Sequence, residues 1–159
     1  MKKVFIYADG ACRGNPGPGG YGVILKFQDA GCKIHEKEIK GAEKDTTNNK
    51  MEMTAAIAGL KTLKEPCHVT VVSDSNYLVQ GMTKWIKTWL KKEWKTADKN
   101  PVKNKEMWEE LINLSKRHKI EWKWIKGHNG HIENERADKL ANEAIDELSI
   151  LPKLSPHFR

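Results

Sequence analysis

Between Val4 and Ala8 the chain alternates Val4, Ile6 and Ala8 with Phe5 and Tyr7, so both faces of the segment are apolar. Such a strand belongs in the middle of a sheet with cover on two sides. Tyr21 to Gln28 and Lys33 to Lys40 read as two further strands, with Asp29-Ala30-Gly31 as a short hairpin link. Ile34, Glu36 and Glu38 leave the third strand more polar, as an edge requires. Met53, Ile57, Leu60 and Lys64 then fall at helical spacing, and this helix must end before Pro66. Val69 to Val72 is a short strand followed by Ser73-Asp74-Ser75. Tyr77, Leu78 and Met82 start a second helix that runs on through Trp85 and Trp89. Met107, Leu111 and Leu114 mark a third within Val102 to His118. Ile120, Trp122 and Trp124 alternate with Glu121 and Lys123 in a last strand. Ala137, Leu140, Ala141, Ala144, Ile145 and Leu148 form the terminal helix.

This β-β-β-α-β-α-α-β-α order predicts an α/β fold. The first three strands pair antiparallel, and the later strands run parallel to the first in one mixed sheet with helices on its faces. A single domain is expected over residues 1–148. Pro152 and Pro156 break periodicity, so residues 149–159 are expected to be a loose tail.

Composition narrows the class. A length of 159 residues fits one core, and 38% hydrophobic residues exclude a disordered chain. The formal net charge of +7 points to a polyanionic partner. Cys12, Cys32 and Cys67 are an odd number with no Cys-x-x-Cys pair, which argues against a disulfide framework and for a reducing, cytoplasmic setting. The apolar run after Lys3 is too short for a signal sequence, and no apolar stretch is long enough for a bilayer. No membrane partner is expected.

Four acids stand where chemistry could occur. Asp9 ends the first strand and Asp74 the fourth, its expected neighbour, and the crevice of an open α/β sheet lies at such strand ends. Glu52 starts the first helix in "TTNNKMEM". Asn49-x-x-Glu52 has capping-box spacing, so from local sequence Glu52 reads first as a cap. Asp138 borders the buried stripe of the last helix and reads locally as a boundary residue. His128 and His131 share a glycine-flanked loop. Too few nitrogen or sulfur ligands accompany them for zinc, and a mobile His128 suits proton transfer better.

The stretches "DGACRGNPGPGGYG", "TTNNKMEM", "SDSNY", "GMTKWIKTWLKKEWKTADKNPVKN" and "WIKGHNGHIENERADKLA" together closely resemble bacterial type 1 ribonuclease H. They occur in that family's order from about Val4 to Glu147. The resemblance implies a ribonuclease H-like five-stranded mixed sheet flanked by helices. It implies an endonuclease that hydrolyses the RNA strand of RNA/DNA hybrids by two-metal-ion catalysis, leaving 5′-phosphate and 3′-hydroxyl ends. Its metal-binding acids fall on Asp9, Glu52, Asp74 and Asp138, and its assisting histidine on His128. Mg²⁺ or Mn²⁺ would serve, with two ions expected when substrate is bound.

The same resemblance places Cys12, Asn15, Asn48, Asn49 and Asn76 along the minor groove of the hybrid, with Asn76 where the family commonly has Gln. It places Thr47 and Asn104 in a DNA phosphate pocket and includes Trp85 among the substrate contacts. Residues from about 84 to 105 correspond to a basic protrusion that grips DNA, including Lys87, Lys91, Lys92, Trp94 and Lys95. Eight lysines there face only Glu93 and Asp98, a local +6 of the total +7. Trp85 and Trp89, four apart, could equally pack on the core. A monomer without an obligate protein partner is implied. A resolvase or integrase core shares such acids in principle but lacks the protrusion and the groove asparagines. The presence of all four acids and His128 argues against a hybrid-binding module without activity, and an RNA-binding scaffold would not respond to a chelator.

Overall fold

A five-stranded sheet in the order β3-β2-β1-β4-β5 forms the centre of the computed structural model, which describes residues 1–127 and 130–154. Strands β1 (Lys2–Cys12), β2 (Gly17–Gln28) and β3 (Ile34–Thr46) pair antiparallel. Strand β4 (Cys67–Ser73) lies parallel to β1, and β5 (Lys119–Trp124) parallel to β4. The expected mixed sheet is therefore present, with the polar β3 at one edge. It is longer than its hydrophobic pattern suggested, because β3 continues through the polar run Gly41–Thr46 on backbone pairing with β2.

Helix α1 (Asn48–Lys61) crosses from β3 to β4 and packs on β1 and β2. It begins at Thr47, whose side-chain oxygen accepts from the Lys50 N–H at 3.2 Å. The cap is thus Thr47, not Asn49, and Glu52 is released from capping to face inward. After β4 come α2 (Asn76–Gln80), a π-helical turn at Gly81–Trp85, α3 (Ile86–Lys91) and α4 (Lys105–Ser115). Helix α5 (Ile132–Leu154) continues six residues beyond Leu148, through Pro152, where a loose tail was expected. Residues 155–159 lie outside the described part.

The main core lies between the sheet and the helices α1 and α4. Val4, Ile6, Val69, Val71, Met53, Leu60, Trp108 and Leu111 are all buried there. At about 25 cal/mol per Å² of apolar surface, burial of each large side chain contributes roughly 1.5–3 kcal/mol. Tyr77, Trp85, Trp89, Trp94 and Trp108 form one aromatic cluster, with neighbouring ring centroids 5.1–5.9 Å apart. The tryptophans interleaved among the lysines therefore anchor this lysine-rich segment to the core. The bridge between Lys95 and Pro101, the bond from the Val102 N–H to the Trp94 carbonyl and the burial of Val102 hold its loop. All eight lysines between Lys84 and Lys105 point to solvent.

Helix α5 covers part of the other face. Gly22 of β2 makes this possible. A Cβ there would press on the Ala137 carbonyl oxygen and lie 2.7 Å from the Leu140 Cβ. Lys26 pairs with Glu133 at 2.8 Å, Arg136 with Glu36 at 3.1 Å and Glu38 at 3.2 Å, and Lys40 with Glu147 at 2.7 Å. The more exposed of these pairs contribute at most about 1 kcal/mol each, and Lys26–Glu133 is half-buried. Together they orient α5 against β2 and β3. Among the described residues no helix is long and apolar enough to cross a membrane.

Candidate active site

Parallel pairing of β1 with β4 puts the carboxyl ends of both strands side by side. Asp9 stands near the end of β1 and Asp74 immediately after β4. Glu52 enters from the first turns of α1. Gly10 permits its approach, because a Cβ on Gly10 would lie 2.5 Å from the Met51 carbonyl carbon. The Gly10 N–H donates to the Glu52 carboxylate in a short hydrogen bond. Carboxylate oxygens of Asp9, Glu52 and Asp74 all lie within 4.8 Å of one another. Asp138 comes from α5 and acts on the Asp9 carboxyl as a neighbouring acid. It joins the group through Asp9, whereas the mutual 4.8 Å spacing belongs to the other three.

Asp9 is 5% exposed and Glu52 4%, while Asp74 and Asp138 are half-buried. Burial, then the charge of Asp74 and the neighbouring Asp138, push the Asp9 carboxyl up to about 9 from its ordinary 3.8. Glu52 rises well above 4.5, through burial first and then the charges of Asp9 and Asp74, with the Gly10 N–H opposing. Bare acids so placed repel each other strongly. A hard divalent cation removes that repulsion, and carboxylate oxygens are its preferred donors. The acids therefore fit a metal centre.

Residues not singled out from the sequence hold these acids. Asn142 donates to the Asp138 carbonyl at 3.0 Å and to its carboxylate at 3.4 Å. Asn134, 2% exposed, donates to the Val72 carbonyl at 3.1 Å and ties α5 to β4. Both lie four residues from Asp138, and that helical spacing was the available signal. The Trp124 indole N–H donates to the Asp74 carbonyl at 3.1 Å.

A groove of about 560 Å³ opens beside α1, shared by Asn15, Thr47, Asn48, Asn49, Lys103 and Asn104. The Asn15 side-chain oxygen accepts from the Asn48 N–H at 2.8 Å, and the Asn15–Pro16 peptide is cis. The Cys12 thiol, half-buried below, donates to the Thr46 carbonyl at 3.4 Å. Asn104 has a left-handed backbone, φ 61°, and its amide donates to the Tyr77 hydroxyl at 3.1 Å. Asn76 is exposed at the start of α2, its side-chain oxygen accepting from Gln80 at 3.4 Å. Trp85 is half-buried in the aromatic cluster, with an edge against Tyr77. Lys87, Lys91, Lys92 and Lys95 are exposed along α3 and the loop after it, with Trp94 half-buried among them. His128 lies outside the described residues.

The family model for RNase H matches residues 1–146. The chain belongs to the RNase H family. Ribonuclease H of Hydrogenovibrio crunogenus is 56% identical over 149 residues, covering 94% of this chain and 99% of that relative. Ribonuclease H of Erythrobacter litoralis is 56% identical over 146 residues, covering 92% and 98%. Among solved structures, LC9-RNase H1, a type 1 RNase H with the type 2 active-site motif, superposes with a TM-score of 0.84 at 33% identity. The match covers 92% of this chain and 74% of that one. LC11-RNase H1 in complex with RNA/DNA hybrid gives 0.63 at 28% identity, covering 91% and 98%. This RNase H chain is thus an enzyme of the ribonuclease class, with type 1 architecture.

Proposed function

We propose that the chain hydrolyses the RNA strand of RNA/DNA hybrids at the acidic cluster, leaving 5′-phosphate and 3′-hydroxyl ends. Asp9, Glu52, Asp74 and Asp138 would hold two Mg²⁺ ions, or Mn²⁺ in their place, when substrate is bound. Such ions supply activation of water and stabilisation of the departing oxygen. The convergence of Asp9, Glu52 and Asp74 within 4.8 Å carries this reading.

The chain's own groups bind and orient the substrate. Amides of Asn15, Asn48, Asn49 and Asn76, with Cys12, supply donors and acceptors for a minor groove lined by 2′-hydroxyls. Thr47 and Asn104, which share the groove with Lys103, would take a phosphate of the DNA strand. The exposed lysines of the protrusion draw the duplex in by counterion release. Trp85 flanks this path, and His128 would move a proton at the reacting phosphate. The architecture behind the reading is one catalytic domain with a protrusion at about 84–105, acting as a cytoplasmic monomer.

A labelled hybrid, the same RNA as duplex RNA, and the same sequence as duplex DNA are incubated with Mg²⁺ and then with excess EDTA. Cleavage of the hybrid's RNA strand alone, lost with EDTA, is expected. Cleavage that persists in EDTA removes the metal assignment. Equal cutting of duplex DNA removes the hybrid assignment. Ligation of the products, which needs a 5′-phosphate and a 3′-hydroxyl, checks the end chemistry.

A further inference from the structure

The two faces of the sheet are covered unequally. One face carries Val4, Ile6, Val69 and Val71 into the main core. On the other, α5 packs against β1, β2 and β3. The outer strands β4 and β5 continue that second face past the helix. Register aligns Phe5 with Thr70 and Glu121, Lys3 with His68 and Lys119, and Tyr7 with Val72 and Lys123. Phe5 sits on the central strand, yet it is 44% exposed. Its ring stacks with that of Tyr7, centroids 6.1 Å apart and planes 14° apart. Lys3, His68, Lys119 and Lys123 are exposed around it, and among the described residues none of them forms a salt bridge. Glu121 is aligned with Phe5 through Thr70, and on the β2 side Phe5 faces Lys26, which is paired with Glu133 near Tyr7. Asp9 lies on the same strand and face as Phe5, four residues on, or roughly 13 Å along β1.

We propose that this open sheet face is a second nucleic-acid site, for the unpaired part of an RNA strand whose paired part occupies the catalytic groove. An exposed aromatic ring on a sheet, with the unpaired Lys3, Lys119 and Lys123 at the next positions of the same face, has the chemistry of a single-strand platform. Bases stack on the ring and phosphates meet the cations. A hydrophobic protein partner would have to desolvate three lysines, Lys3, Lys119 and Lys123, with Glu121 the one acid beside them on β5. The platform is also continuous with the acidic cluster along β1, so one strand can reach both. The proposal rests on hybrid cleavage as the function, and its test keeps the two apart.

The full chain in EDTA is titrated with a labelled blunt hybrid and with the same hybrid extended by about ten unpaired ribonucleotides at either end. Fluorescence anisotropy reads the affinity. An extension at one end should tighten binding about tenfold, in line with one stacked base. Phe5→Ala and Phe5→Leu should abolish most of that gain, and Lys119→Glu should reduce it. None of the three should change affinity for, or Mg²⁺-dependent cleavage of, the blunt hybrid. Phe5→Leu keeps an apolar strand residue, so loss of the ring is read without loss of the fold. No gain from either extension overturns the proposal, as does a gain that survives both Phe5 variants. A change in sedimentation on Phe5→Ala with unchanged RNA affinity also overturns it, making the face a self-association surface. Failure of the wild-type chain to bind or cut the blunt hybrid instead refutes the proposed function.

Discussion

Asp9→Asn should kill cleavage and stabilise the metal-free protein. The Asp9 carboxyl is pushed up to about 9 in the folded chain, against 3.8 when unfolded. Between these values the folded state holds a proton that the unfolded state has released, so stability falls as pH rises. The penalty is absent below 3.8, grows through neutral pH and is complete near 9. At about 1.36 kcal/mol per pH unit, the span from 3.8 to pH 7 is an upper limit of about 4 kcal/mol. Water entering the half-open site lowers this, and a gain of about 2–4 kcal/mol is expected for the neutral amide. For a chain of this length that is roughly 5–15 °C in Tm. Thermal melts of both proteins in EDTA at pH 4, 5.5, 7 and 8.5 measure it. The gap should open steadily with pH, and Mg²⁺ should narrow it by binding the wild type. A gap that does not vary with pH, or a variant less stable at pH 8.5, would refute the raised Asp9 carboxyl that burial first, and the neighbouring acids second, produce.

Three further outcomes are expected. Gly22→Ala drives a methyl into the Ala137 carbonyl and Leu140; it should cost about 1–3 kcal/mol in melts and lower kcat by shifting Asp138. His118 accepts the Cys67 N–H on Nδ1 at 3.0 Å, and burial, then the Arg117 charge, lower it from 6.5. Its contribution is therefore full above 6.5 and lost as pH falls, so the wild-type Tm should drop between pH 7 and pH 5 more than that of His118→Gln. Replacing Lys87, Lys91 and Lys95 together by Ala should leave stability within about 0.5 kcal/mol. It should flatten the dependence of log affinity for the hybrid on log salt by about 0.7–0.9 for each phosphate that is no longer neutralised.

Strand order and polarity were legible because two-sided apolar patterning marked β1 as central and Glu36 and Glu38 marked β3 as an edge. Asp9 and Asp74 followed from strand ends alone. Glu52 and Asp138 did not, since each sits where a bland local role also satisfies the pattern. What removes the bland role is tertiary. Thr47 takes the cap, and Gly10 and Gly22 let two helices come close enough for their acids to face Asp9. The π-helical turn at Gly81–Trp85 has the same origin, because Gly81 lies against the Trp108 ring, which reaches it from 27 residues further along the chain. The extension of α5 past Pro152 went unread because proline argues locally against helix.

The acids arrive from four separate elements, and the last comes from α5. During synthesis, Asp9, Glu52 and Asp74 emerge long before the helix that brings Asp138 against them. A growing chain thus carries three of its four acids before the helix that supplies the fourth has been made, so the complete cluster waits on α5 folding back against β1.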